Sequence, residues 1–148
     1  MSREFAVAAF NATWALIERT DRTADDDLAM LLAAMASRWH WDAAGGSEQW
    51  RNGDWQVAHV ASLLGFGDLA LRFAERTLRS ALEEGLDGWA LASAHEGMAR
   101  AYATLGDVEG RRRHVAEAEA ALAREADEED REVIAGQLAS VPEVGPRS

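Results

Sequence analysis

The side chains in this sequence that could bind a ligand or take part in a reaction are tryptophans and histidines, and they are concentrated in its middle. They are Trp39, His40, Trp41, Trp50, Trp55 and His59, followed farther along by Trp89, His95 and Glu96. Indoles make suitable walls for a ligand pocket, and histidine and glutamate supply hydrogen bonds, metal ligands or acid–base groups. The residue types therefore offer three kinds of chemistry: a ligand pocket, a metal site or an acid–base centre.

The same residues also suit a purely structural role. A tryptophan often fills the seam between packed helices, and a histidine on an apolar helix face is commonly a hydrogen-bonded core residue. One helix usually supplies two metal ligands through a His-x-x-x-His or Glu-x-x-His pair, and neither pattern occurs in the sequence. A metal or acid–base centre would need side chains that only the tertiary fold brings together.

We expect a ligand to bind on the inner face of the fold and on its adjoining loop. The predicted binding residues are Trp41, Trp50, Arg51, Trp55, His59, His95 and Glu96. No catalytic residue, metal ligand or cofactor is predicted, because the sequence contains no phosphate-binding loop, nucleophile elbow or paired-carboxylate motif. Glu96 and Arg100 are four residues apart in the favourable order, which predicts an ion pair at the surface of a helix.

Length, charge and cysteine content narrow the classes of function. A chain of 148 residues fits one domain, and it contains no cysteine, which excludes disulfides and thiolate metal sites. A net charge of -11 argues against binding to nucleic acid or to anionic lipid, since both need a basic surface. The sequence has neither a secretory signal pattern nor a transmembrane-length apolar run, so we predict a cytoplasmic protein with no membrane partner.

Apolar residues recur at helical spacing along the chain, and no period-two run occurs, which predicts an all-α fold of about seven helices. The predicted helices cover residues 3–18, 24–43, 55–64, 68–84, 87–105, 107–124 and 127–141, and residues 142–148 are predicted to be a flexible tail. The second helix is expected to bury one wide apolar face made of Leu28, Leu31, Leu32, Met35 and Trp39. Residues 45–53 are predicted to be the longest loop, with Trp50 and Arg51 on it and Asp54 capping the helix that follows.

A unit of helix, Leu-Gly, turn, Asp and helix occurs twice, at Leu64-Gly65 and at Leu105-Gly106. The period of about 40 residues lies in the range of helical solenoids. We therefore predict antiparallel hairpins over about residues 54–85 and 87–124, with 127–141 as a capping helix of a single domain 1–141.

This pattern resembles the tetratricopeptide repeat, in two degenerate copies over about residues 54–124. The chain departs from the repeat in two ways. Arg111 lies near a position where the repeat has a small packing residue, and no proline ends either copy. The resemblance implies a concave surface that binds peptides or partner proteins. Residues 19–32, 37–41 and 96–101 also resemble a small group of uncharacterised bacterial helical proteins, which implies a fold but no activity.

Together these patterns predict a scaffold module that binds a protein or peptide and has no catalytic activity. The alternative is a small-molecule-binding or metal-dependent protein that uses His40, His59, His95 and Glu96. Self-association is a further expectation, because a short array of repeats has two open ends.

Overall fold

The computed structural model describes residues 1–144, which form seven α-helices and no strand. The helices are α1 (Ser2–Ile17), α2 (Ala24–Ala44), α3 (Ser47–Leu63), α4 (Gly67–Glu83), α5 (Gly88–Leu105), α6 (Val108–Ala123) and α7 (Glu128–Ala139). The predicted all-α fold with about seven helices is confirmed. Within this part of the chain, no helix combines the length and apolar character needed to cross a bilayer. The last four residues of the predicted tail, 145–148, lie outside the described residues.

Consecutive helices pack as antiparallel hairpins: α1 with α2, α3 with α4, and α5 with α6. The Ser37 hydroxyl near the end of α2 donates to the Ala6 carbonyl near the start of α1 at 2.8 Å, which fixes the direction of the first hairpin. Between hairpins, α3 contacts α5 directly, and the Gln56 amide on α3 donates to the Phe10 carbonyl on α1 at 3.1 Å. Since α7 also packs on α5, the odd-numbered helices lie side by side, with α2, α4 and α6 packed against them.

The core between the hairpins is built largely from alanine. Five buried alanines at 58, 61, 70, 74 and 101 surround Met98 where α3, α4 and α5 meet. A second cluster joins α2 to α3 through Met30, Ala34, Val57 and Val60. Because an alanine side chain ends at Cβ, the helix axes can approach closely, and the larger neighbours fill the remaining gaps.

Side-chain caps fix where several helices begin. The Thr23 hydroxyl accepts from the Asp26 N–H at 3.1 Å, and the Asp26 carboxylate accepts from the Thr23 N–H at 3.0 Å. At the starts of α6 and α7, the carboxylates of Asp107 and Asp127 each accept a backbone N–H at 2.9 and 2.8 Å. These bonds satisfy N–H groups that have no partner inside the helix.

The predicted loop over residues 45–53 is wrong, because α3 already begins at Ser47. The Gln49 side chain accepts from the Gly46 N–H at 2.9 Å and caps this earlier start. Gly53 lies inside the helix, where a Cβ atom would stand 2.8 Å from Cδ of Arg38. This glycine is therefore a point of close approach between α2 and α3 and not a helix boundary.

Asp54 is likewise not the predicted cap, since it is buried within α3. Its carboxylate accepts from Arg38 on α2 at 2.8 Å and from Arg76 on α4 at 3.2 Å. The aspartate therefore ties three helices together as the shared acceptor of two guanidinium groups.

The predicted buried face of α2 is wrong for most of its members. Leu28, Leu32 and Trp39 are exposed, Trp39 to 75%, and the residues that α2 buries are Met30, Ala34, Ser37 and Trp41. The hydrophobic pattern of α2 fits either of two faces. Packing against α1 and α3 selects the face that has the small residues Ala34 and Ser37 at its centre, where the helices approach closely. Leu82 on α4 is exposed too.

Replacing Gly110 with alanine is expected to destabilise the protein by about 1–3 kcal/mol, as overpacking of a tight contact does. A Cβ atom at this position would stand 2.6 Å from the ring of Tyr102, and that ring is stacked on His114, which limits its movement.

The matched control is Gly136→Ala on α7, where nothing lies within 4 Å of the added atom. In this control, the higher helix propensity of alanine should raise the free energy of unfolding by about 0.5–1 kcal/mol. Urea unfolding of both variants measures the two changes in stability. Equal effects at the two sites would contradict the close packing of α5 on α6.

Candidate functional site

A cleft of about 280 Å³ lies on the face formed by the odd-numbered helices. All of these helices contribute, and Thr77 of α4 completes the wall. Four aromatic residues dominate the lining: Phe10, Trp14, Trp55 and Trp89. The polar and charged side chains of the lining are Arg51, Asn52, Thr77, Ser93, Asp130 and Gln137. Mostly apolar walls with a few polar groups are typical of binding sites in proteins.

Three aromatic rings from α1 and α3 form a compact group, the aromatic stack of Trp14, Trp55 and His59. Ring centroids are separated by 5.7 Å between the two indoles and by 5.0 Å between Trp55 and His59. The Nδ1 atom of His59 is buried without a hydrogen-bond partner among the described residues. Burial, with a smaller effect of the Arg100 charge, lowers the pKa of His59 to about 3. The His59 ring is therefore neutral behind Trp55, and its unpartnered nitrogen disfavours the charged form.

Beneath the aromatic stack lies an ion pair between Glu96 and Arg100 on α5. Two nitrogens of Arg100 donate to Glu96 Oε1 at 2.9 and 2.7 Å, and Trp55 Nε1 donates to Oε2 at 3.2 Å. The predicted pairing is correct, but the predicted surface location is wrong, because Glu96 is fully buried and Arg100 nearly so. Burial raises the pKa of Glu96, and its bonds to Arg100 and Trp55 oppose that rise.

Arg100 also reaches α7, where it donates to the Gln137 carbonyl at 3.1 Å and to the Ser140 hydroxyl at 2.8 Å. The pair thereby joins α3, α5 and α7, three of the helices that line the cleft. Its position indicates a role in holding the cleft walls, since neither Glu96 nor Arg100 belongs to the lining.

His95 points to the opposite side of α5, where it meets His114 of α6. The two Nδ1 atoms are 2.9 Å apart, so the Nδ1–H of one imidazole donates a hydrogen bond to the unprotonated Nδ1 of the other. The His114 ring also stacks on Tyr102. Burial lowers the pKa of both rings, that of His114 to about 4 with repulsion from His95 as a second cause. The α5–α6 contact therefore takes His95, one of the predicted ligand-binding residues, away from the cleft.

The remaining predicted residues lie near the end of α2. Trp41 is buried and lines a smaller cavity of about 120 Å³, which shares Phe10 and Asn52 with the cleft. Trp50 lines neither cavity, and its indole N–H donates to the Trp41 carbonyl at 2.7 Å. His40, from the alternative metal hypothesis, packs against Phe5 with the two rings tilted and their centroids 5.3 Å apart.

Of the seven residues predicted to bind a ligand, the structure places Arg51 and Trp55 in the cleft and Trp41 beside it. Sequence reasoning missed the contributions of α1 and α7: Phe10, Trp14, Asp130, Val133, Ile134 and Gln137. Phe10 and Trp14 are four residues apart, and this spacing marks one helix face. The spacing does not reveal which other helix that face meets, so the signal could identify a face but not a site.

Among residues 1–144, no three side chains of histidine, aspartate or glutamate come close enough together to hold a metal ion. His40, His59, His95 and Glu96, proposed from sequence as an alternative centre, are distributed over three helices and contact different partners. The pair of His95 and His114 supplies only two side chains, and their Nδ1 atoms are hydrogen-bonded to each other.

Comparisons with protein-family models, with curated proteins and with solved structures give no match to this chain.

Proposed function

We propose that the protein is a binding module that takes a segment of a partner protein or peptide into the cleft, without catalysing a reaction. The observation that carries this proposal is the lining of the cleft, in which side chains from α1, α3, α5 and α7 converge and four of them are aromatic. Aromatic side chains with exposed apolar area are the usual anchors of protein interfaces. The resemblance to tetratricopeptide repeats supports the same proposal, since it implies a concave peptide-binding face.

The walls of the cleft are braced in a way that suits binding. Arg51 donates to Glu84 at 2.9 Å and to Ser80 at 3.3 Å, which holds α3 against α4. The Trp55 indole is held by Glu96, and Glu96 by Arg100. Side chains fixed in this way lose little conformational freedom when a ligand binds, so a larger share of the contact energy contributes to affinity.

Filling the cleft is expected to abolish binding without unfolding the protein. Ala90 lines the cleft at the start of α5, so Ala90→Phe places a ring in the space that the partner would occupy. Peptides would first be selected from a random display library on the immobilised wild-type protein. We expect their affinity for the variant, measured by tryptophan fluorescence, to fall by about tenfold or more.

The matched control is Ala120→Phe, which adds the same ring to an exposed position on α6, outside both cavities. This control should bind the selected peptides as the wild type does. Circular dichroism verifies that both variants keep their helix content. Selected peptides that bind Ala90→Phe with unchanged affinity would contradict the proposed location of the site.

A small aromatic ligand is the second candidate for the same cleft. The observation that favours it is the volume of about 280 Å³, which lies near the lower end of the range for small-molecule pockets. A thermal-shift screen with small aromatic compounds separates the two candidates: a compound that raises the melting temperature of the wild type but not of Ala90→Phe would favour this one.

A further inference from the structure

The two charged side chains that line the cleft differ in whether they already have an oppositely charged partner. The Arg51 guanidinium is already compensated by the Glu84 carboxylate, 2.9 Å away. The Asp130 carboxylate has neither a hydrogen bond nor an ion pair in the described part of the chain. An anionic ligand would therefore have to compete with Glu84 for Arg51, whereas a cationic ligand finds Asp130 without a partner.

Other acidic residues strengthen the negative field at this end of the cleft. Partial loss of hydration raises the pKa of Asp130, and repulsion from Asp127, Glu125 and Glu129 adds to the rise. Of these neighbours, Glu125 already accepts the backbone N–H groups of Trp89 and Asp127, both at 2.9 Å. A cation in the cleft would offset this repulsion, and the net charge of -11 would attract cations toward the protein over a longer range.

The aromatic lining is suited to the same kind of ligand. The faces of indole and phenyl rings carry partial negative charge and attract ammonium and guanidinium groups. Trp89 is partly exposed, and Trp14 and Trp55 lie 5.7 Å apart within the aromatic stack. A flat guanidinium can stack on an exposed ring such as that of Trp89 and still donate hydrogen bonds to a carboxylate, which a compact ammonium group does less well.

We propose that the cleft recognises the side chain of an arginine in the partner peptide, with Asp130 as its counter-ion and the indoles of Trp14, Trp55 and Trp89 as its apolar contacts. This inference rests on the proposed function and deepens it, since it names the chemistry of the residue that enters the cleft. A carboxylate ligand at Arg51 is the competing possibility, and the loss of the Arg51–Glu84 pair counts against it.

The test uses three blocked glycine peptides that differ only in the central residue: arginine, citrulline or phenylalanine. Citrulline has nearly the shape of arginine but no charge. Binding is followed by NMR through the indole N–H signals of the six tryptophans, assigned by single Trp→Phe variants. Trp39 is exposed on α2, outside the cleft, so its signal is the internal control.

We expect the arginine peptide to shift the signals of Trp14, Trp55 and Trp89 but not that of Trp39, and to bind more tightly than the citrulline peptide. Asp130→Asn should weaken arginine binding by about two- to fivefold, the range for one partly exposed charge pair. The matched control is Asp25→Asn, which removes the same charge at the start of α2, away from the cleft. Added salt should weaken binding to the wild type more than binding to Asp130→Asn.

Equal binding of the arginine and citrulline peptides, or an unchanged affinity in Asp130→Asn, would overturn the inference. If the phenylalanine peptide alone shifts the cleft signals, the cleft binds peptides but does not select a cation, so the proposed function stands and this inference fails. If none of the three shifts a cleft signal while library-selected peptides still do, the inference again fails by itself. If selected peptides fail as well, the proposed function fails with it.

Discussion

Replacing Glu96 with alanine is expected to lower the free energy of unfolding by about 3–5 kcal/mol, the usual cost of removing one partner from a buried ion pair. The side-chain exposures of Glu96 and Arg100 are 0% and 6%, so water cannot replace the missing carboxylate. The substitution also removes the acceptor of the Trp55 indole N–H. Urea unfolding followed by circular dichroism measures the change.

Two further variants test the cause of this loss. Glu109→Ala removes a carboxylate that pairs with Arg112 at 2.8 Å, at exposures of 75% and 69%, and should cost less than about 1 kcal/mol. Glu96→Gln replaces the carboxylate with an amide of nearly the same shape, whose oxygen can still accept hydrogen bonds. It should therefore lower the free energy of unfolding by less than Glu96→Ala. If Glu96→Ala lowered the free energy of unfolding as little as Glu109→Ala does, the result would contradict the burial of the ion pair between Glu96 and Arg100.

Lowering the pH from 7 to 5 is expected to destabilise the protein by about 2–4 kcal/mol through its buried histidines. The folded-state pKa of His59 is about 3 and that of His114 about 4, and that of His95 is also lowered, against an ordinary value of 6.5. As the pH falls below about 6.5, the unfolded chain takes up protons that the folded chain does not. Stability from these groups is therefore present above pH 6.5 and is lost as the pH falls toward the folded-state values.

The free energy of unfolding, measured in urea at several pH values between 7 and 5, tests this expectation. His59→Phe keeps a ring beside Trp55 and removes the buried unpartnered Nδ1, so it should flatten the pH dependence without lowering stability at pH 7. His40→Phe removes a histidine outside the two buried clusters and controls for the loss of a histidine as such. A His59→Phe protein with the pH dependence of the wild type would show that His59 is accessible to protons in the folded state.

Local chemistry made most helix boundaries predictable. Thr23, Asp107 and Asp127 cap helices through bonds to nearby backbone N–H groups, and such bonds depend on residues only a few positions apart. Gly106 ends α5 with φ of 78°, a conformation that glycine adopts without strain. The same reasoning failed at Gly53, because a glycine inside a helix and a glycine at its end look alike until a neighbour such as Arg38 is placed beside it.

The choice of buried face was harder to predict. On α2, three large apolar residues of the predicted face are exposed, and the buried face includes the small residues Ala34 and Ser37. A buried face predicted from hydrophobic periodicity favours leucine over alanine, because leucine is the more hydrophobic residue. A closely packed pair of helices, however, needs small side chains where the helix axes approach. In a chain this rich in alanine, the strongest apolar stripe and the buried stripe are therefore not the same.

The sequence by itself determined the all-α class, the number of helices and most of their ends, because these follow from periodicity and capping within short stretches of chain. Only the tertiary structure decided that Trp14, Trp55 and Asp130 line one cleft, that His95 pairs with His114, and that Glu96 is buried. Each of these facts depends on contacts between helices distant in the chain. Their geometry arises from packing all seven helices at once, which no local pattern encodes.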